Sequence, residues 1–152
     1  MRIVIQRVTQ ASVEIEGSIK GQIGTGLLLL AGFTAEDTEE DLKWMAGKVT
    51  QLRIFSDADG KMNLSVQDVQ GDMLVISQFT LYASTKKGNR PSYINAAAPA
   101  IAIPLYERFI ALLETALGKK VQTGEFGADM KVSLLNDGPV TIVMDTQQKD
   151  IF

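Results

Sequence analysis

The sequence contains neither cysteine nor histidine. Without cysteine there is no disulfide framework, no thiol nucleophile and no thiolate metal site. Without histidine the commonest general base and the commonest neutral-pH metal ligand are missing. An enzyme built from this chain has to work with hydroxyls, carboxylates, lysines, main-chain groups or its substrate's own atoms. Long apolar runs are absent as well. None is longer than the strand-sized Leu27 to Ala31, whereas a membrane span needs about 18 residues or more. The opening MRIVIQRVTQ alternates and lacks the apolar stretch and cleavage site of a secretory signal. A cytoplasmic location is therefore expected. There is no basic excess either: 15 Lys and Arg face 18 Asp and Glu, a net charge of −3. A polyanionic partner would have to be met by a local patch.

What is present is ordinary for a soluble globular domain. The 152 residues are 45% hydrophobic and 22% charged, enough for one domain, 1–152, with a sizeable core. Period-two alternation predicts a strand over Met1 to Gln10, a second over Ala11 to Glu16 and a short return strand over Ile19 to Ile23. The continuous apolar run in GLLLLAGF predicts a strand buried on both faces. Thr38-Glu39-Glu40-Asp41 has the form of a capping box, and Leu42, Met45, Val49 and Leu52 follow at helical spacing. Trp44 lies off that stripe and reads as packing at the helix margin. A further strand is expected from Arg53 to Phe55. The acidic loop after it, Ser56 to Gly60, has the wrong ligand register for calcium and reads as a solvated turn.

Asp72 to Leu81 predicts another strand. A polar loop, YASTKKGNRPSYINAA, separates it from a helix over Pro99 to Leu117. That helix has a stripe of Leu105, Phe109, Leu112 and Ala116, and Gly118 closes it. Pro104 is expected to kink the helix or split off its first turn. Val121 to Thr123, Met130 to Leu135 and Val140 to Asp145 complete the order βββ-β-α-β-β-α-βββ. This is an α/β domain with mixed sheets and two main helices.

Two short stretches carry chemical interest. Ser77-Gln78-Phe79-Thr80 places polar groups on both faces at the end of an apolar strand. It is either a strand emerging at a sheet edge or the lining of a pocket. No Ser-x-x-Lys pattern or G-x-S-x-G elbow surrounds these hydroxyls, so a serine-hydrolase reading is weak. An oxyanion hole of main-chain N–H groups needs no special side chain and stays open. The second stretch is Asn136-Asp137-Gly138-Pro139, between two β-prone runs. Asp-Gly suits a tight hairpin, but proline cannot donate to the ladder that follows. The Gly-Pro pair is either a turn with a rigid exit or itself a working part.

Together, Ser77-Gln78-Phe79-Thr80-Leu81 and Asn136-Asp137-Gly138-Pro139-Val140-Thr141 resemble the motifs of the D-aminoacyl-tRNA deacylases. The resemblance spans nearly the whole chain. It includes Met1 to Val8, GLLLLAGF, Leu105-Tyr106-Glu107-Arg108-Phe109 and Gly124 to Met130.

The resemblance implies a three-layer α/β/β fold and a homodimer with its sites at the interface. It implies hydrolysis of the ester joining a D-amino acid, or glycine, to tRNA, including glycine mischarged on alanine tRNA. Gly138-Pro139, in cis, would reach into the partner's pocket as a main-chain filter against L side chains, with Asn136 beside it and Arg7 fixing it. The main-chain N–H groups of Phe79 and Thr80 would form the oxyanion hole, and Ser77 and Gln78 would shape the pocket. The substrate's 2′-OH would assist, and Thr80 would position rather than attack. Lys86, Lys87 and Arg90 form the densest basic cluster, a candidate for tRNA phosphates or else a solvated loop. No cofactor, metal, membrane or DNA partner is expected. The competing functions are a non-catalytic binding module, a small-molecule esterase using Thr80 or Ser77 covalently, and a metal hydrolase on carboxylates alone.

Overall fold

A computed structural model describes residues 1–152. Its spine is β1 (Arg2–Ile15), one strand where the sequence predicts two. Its neighbours are β2 (Ser18–Ile23), β3 (Gly26–Gly32) and β8 (Lys131–Asp145). β3 pairs antiparallel with the first half of β1, Arg2 to Val8, and β2 with the second half, from Ala11. β8 pairs antiparallel along the whole opposite edge of β1. Beyond β3, β6 (Asp72–Ser77) and β7 (Gln122–Thr123) add parallel strands. A separate hairpin joins β4 (Phe55–Ser56) to β5 (Met62–Leu64). The acidic loop within it is a solvated turn: the Asp57 carboxylate accepts from the main-chain N–H groups of Asp59 and Lys61.

The break anticipated at Gln10 is a bulge. Val8 faces Asn136 and Gln10 faces Leu135, so Thr9 is the extra residue. The bulge changes which residues point inward. Ile3 and Ile5 join the large core, while Val8, Ala11 and Val13 join a second, smaller one. The sheet thereby bends over itself, and Gly21 of β2 comes close to Gln122 and Thr123 of β7.

The large core lies between one sheet face and the helices α1 (Glu39–Gln51) and α2 (Pro99–Leu117). The smaller core joins Leu28, Leu74 and Ile76, from the other face, to the folded-over half. Helices, sheet and folded-over sheet make three layers. β3 is buried on both faces, as its unbroken apolar run requires.

Both helix starts follow from sequence. Thr38 caps α1, with reciprocal bonds to Asp41. Pro99 occupies the first turn of α2, where its missing N–H costs no helical bond. Gly118 ends α2 in the left-handed region, φ 81°. For α2, one of two alternatives at Pro104 is excluded and the apolar stripe is corrected. Pro104 does not split it, and the buried stripe is Ala102, Tyr106, Phe109, Leu113 and Leu117. Leu105, Leu112 and Ala116 lie at its half-buried margin because Phe33 and Phe126 draw Tyr106 into the core.

Candidate active site

β6 ends earlier than the sequence suggests. Its last residue is Ser77, which pairs with Ala31, and Phe79–Tyr82 coil into one 3-10 turn. Gln78, Phe79 and Thr80 are thus not on the two faces of a strand. The turn has a chemical consequence. The first N–H groups of a helical turn have no internal acceptor, and those of Phe79 and Thr80 find none elsewhere in the chain. The N–H of Gln78, by contrast, is used by the Ala31 carbonyl at 2.8 Å.

Arg2 anchors this turn, donating to the Leu81 carbonyl at 2.8 Å while pairing with the buried Asp145. The Gln78 side-chain amide donates to the Thr80 hydroxyl at 2.5 Å. An amide is not a base in either orientation, so it cannot take a proton from Thr80.

Beside the turn lies a cleft of about 250 Å³. Ser77, Gln78 and Phe79 form one wall; Phe126, Ala128 and Met130 face them. The sequence assigns no role to the second wall, although Gly124 to Met130 is among the stretches that carry the resemblance. Phe79 is half exposed and meets Tyr93 edge-on, ring centres 5.1 Å apart. Tyr93 follows a small hairpin closed by Ser84 and Ser92, whose tip carries Lys86, Lys87 and Arg90. None of the three has a carboxylate within 4.0 Å.

The second motif does not form a hairpin, and the two strands expected around it are one. Both flanks of Asn136–Pro139 pair with β1: Thr141 with Gln6 and Asn136 with Val8. Asp137, Gly138 and Pro139 therefore bulge from a ladder that continues in the same direction. The Gly138-Pro139 peptide is cis and exposed, and Gly138 sits at φ 122°. Asn136 laces the base, donating to the carbonyls of Arg7 and Val140, each at 3.0 Å. Arg7 grips one side, donating to the Asp137 carbonyl at 3.2 Å and the Ile54 carbonyl at 2.7 Å.

The two motifs are not brought together within one chain. β1 and β3 lie between β8 and β6, a lateral separation of about 14 Å at the usual strand spacing. The protrusion emerges from the sheet's free edge. Leu134, Leu135 and Val143 of β8 are exposed there. No three Asp or Glu side chains gather in an arrangement that could hold a metal ion.

A family model described as D-Tyr-tRNA(Tyr) deacylase matches residues 4–145. D-aminoacyl-tRNA deacylases of Flavobacterium johnsoniae and Akkermansia muciniphila are each 61% identical to the chain over 150 residues, covering 99% of it and all of theirs. Among solved structures, one titled c-Myc DNA unwinding element binding protein superposes with a TM-score of 0.90 at 40% identity, covering 95% of this chain and 98% of that one. A probable eukaryotic D-amino acid tRNA deacylase shares the fold at 18% identity, with a TM-score of 0.82 over 94% and 97% of the two chains.

These likenesses place the chain among hydrolases of carboxylic esters, on a mixed α/β scaffold. More particularly, the chain belongs to the D-Tyr-tRNA(Tyr) deacylase family. It has no helix long and apolar enough to cross a membrane.

Proposed function

We propose that the protein hydrolyses the ester of D-aminoacyl-tRNA, releasing free amino acid and tRNA, at composite sites of a homodimer. The Gly138-Pro139 protrusion of one copy would close the Ser77–Thr80 cleft of the other. One observation carries this reading: the two motifs stand on strands separated by two others, with one of them projecting from an unpaired edge. A cyclic pair lets each copy complete the other's site. The exposed apolar side chains of β8 favour such a contact.

In the completed site, water adds to the ester carbonyl. The N–H groups of Phe79 and Thr80 stabilise the oxyanion, and its collapse expels the ribose hydroxyl. The neighbouring 2′-OH of the substrate relays the attacking water's proton to the departing ribose oxygen, which suits a chain without histidine. Thr80, held by the Gln78 amide, positions rather than attacks. The main chain of Gly138-Pro139 faces the α-carbon and leaves no room for an L side chain, so selection works by exclusion. Glycine has nothing to exclude. Glycyl-tRNA, including glycine mischarged on alanine tRNA, is accordingly a substrate. Lys86, Lys87 and Arg90 hold phosphates beside Phe79.

The test is deacylation of matched D-tyrosyl- and L-tyrosyl-tRNA with chelator present. Rapid loss of the D ester alone is expected. Equal loss of both would remove the filter, and loss of neither, with glycyl-tRNA also inert, would leave a binding module.

A further inference from the structure

Eight of the fifteen Lys and Arg side chains have no carboxylate within 4.0 Å. Three of these sit on the hairpin beside Phe79, and Lys20 and Lys61 stand alone. The remaining three, Lys48, Arg53 and Lys149, converge on a different place. It is an open groove of about 520 Å³ along the outer face of α1, lined by Lys43, Trp44, Lys48, Gln51 and Arg53, with no acidic residue in its wall.

The single tryptophan of the chain organises the charge. Lys48 Nζ lies 5.7 Å from the Trp44 ring centre and Lys149 Nζ lies 4.7 Å from it. The two ammonium groups are therefore no more than about 10 Å apart, attracted to one aromatic ring. In a protein of net charge −3, exposed cations gathered without carboxylates in the groove wall make a local positive patch that complements a polyanion.

The groove also has a direction. It ends at Arg53, and the next carbonyl, that of Ile54, accepts from Arg7, which grips the protrusion. One end is thus linked to the Gly138-Pro139 element through the Arg7 side chain. From Gln51 back to Lys43 the groove runs along about 12 Å of helix, room for a few phosphates at the spacing of a nucleic-acid strand.

We infer that this groove is a second tRNA-binding surface. It takes the phosphates of the acceptor strand whose aminoacyl end lies in the partner copy's cleft. The inference rests on the composite site proposed above. Each tRNA would then be held by both copies, through the Lys86–Arg90 hairpin of one and the α1 groove of the other. A deacylase needs such a hold because the ester itself offers few atoms by which to recognise tRNA.

The test is the triple variant Lys48→Gln/Arg53→Gln/Lys149→Gln, compared with the wild-type protein in three measurements. The first is the Kd for uncharged tRNA across a salt series. About a tenfold weakening is expected, with the slope of log K against log salt shallower by about two. The second is deacylation of D-tyrosyl-tRNA, where KM should rise by a similar factor and kcat should hold. The third is hydrolysis of D-tyrosyl-adenosine, which cannot reach the groove and should be unchanged. Unaltered tRNA affinity and salt slope would overturn the inference. Equal damage to tRNA and adenosine substrates would also overturn it, marking the groove as support for the fold or the dimer. If the wild-type protein hydrolyses neither ester, the deacylase reading fails, and the uncharged-tRNA titration still decides the groove.

Discussion

Arg7 Nε lies 3.2 Å from the main-chain carbonyl of Asp137 and 3.3 Å from its carboxylate, so one side chain holds both ends of the first protruding residue. The guanidinium is largely buried, and its other arm is fixed on Ile54. Arg7→Ala should therefore cost about 2 kcal/mol of stability, the scale of lost charge-assisted hydrogen bonds. It should also reduce kcat/KM for D-tyrosyl-tRNA at least tenfold by loosening the protrusion. Urea unfolding and steady-state kinetics on the same sample separate the two effects. A stability loss with unchanged kinetics would make Arg7 a fold residue alone.

A methyl on Gly138 would meet Arg7 Nη2 and Val140 Cγ2 at 3.0 Å each, at a φ of 122° that L side chains rarely adopt. Gly138→Ala should thus displace the protrusion and leave the site it completes nearly inactive. Combined with a second variant, it tests the shared site. Phe126→Arg would fill the cleft while leaving the protrusion intact. Each variant alone should be nearly inactive. Mixed by unfolding and refolding together, they should recover about a quarter of wild-type activity. Half of randomly paired dimers are mixed, and each mixed dimer has one intact site of two. No recovery would place cleft and protrusion of the same chain in one site, contrary to the composite reading.

Thr80→Ala should retain turnover within about tenfold, because its hydroxyl is partnered by an amide and lacks a base. Abolished activity in a variant whose thermal unfolding matches the wild type would instead support a covalent ester on Thr80. Trapping that ester by mass spectrometry would then be the next step.

Tyr106 predicts a feature of alkaline stability. Its phenol donates to the Val75 carbonyl at 3.2 Å beneath β6. Burial pushes its pKa up to about 12, with the Thr123 hydroxyl opposing more weakly. The folded protein thus holds this proton more tightly than the unfolded one. The stability so gained is complete below pH 10, the ordinary tyrosine value, and fades as pH rises from 10 toward 12. Tyr106→Phe should lower stability near neutrality by about 1 kcal/mol for the lost hydrogen bond, and flatten the decline above pH 10. A variant with the same decline would assign the alkaline loss to other groups.

How far the sequence foretells this structure depends on which interactions are local. The Thr38 capping box, the αL Gly118 and the doubly buried β3 were legible because their causes lie within a few residues of one another. The end of β6 was not. Nothing near Ser77 announces a 3-10 turn, which is held by Arg2 reaching the Leu81 carbonyl from 79 positions away. The supposed hairpin at Asp137 failed for the same reason. Asp-Gly suits chain reversal, but β1 offers a continuous partner to both flanks and keeps the chain running forward. Both motifs were visible by resemblance. Their separation across two intervening strands was not, because strand order is a property of distant pairings.

The bulged ladder also limits how this region can change in length. Asn136 is locked opposite Val8 and Thr141 opposite Gln6, with Met144 and Asp145 buried beyond. Removing or adding one residue must either resize the three-residue protrusion or slide the strand by one place. A one-place slide turns every following side chain to the opposite face, exposing Met144 and breaking the Arg2–Asp145 pair. Neither outcome preserves both the core and the reach of the protrusion. This segment can exchange side chains, but its spacing from Asn136 to Asp145 tolerates neither insertion nor deletion.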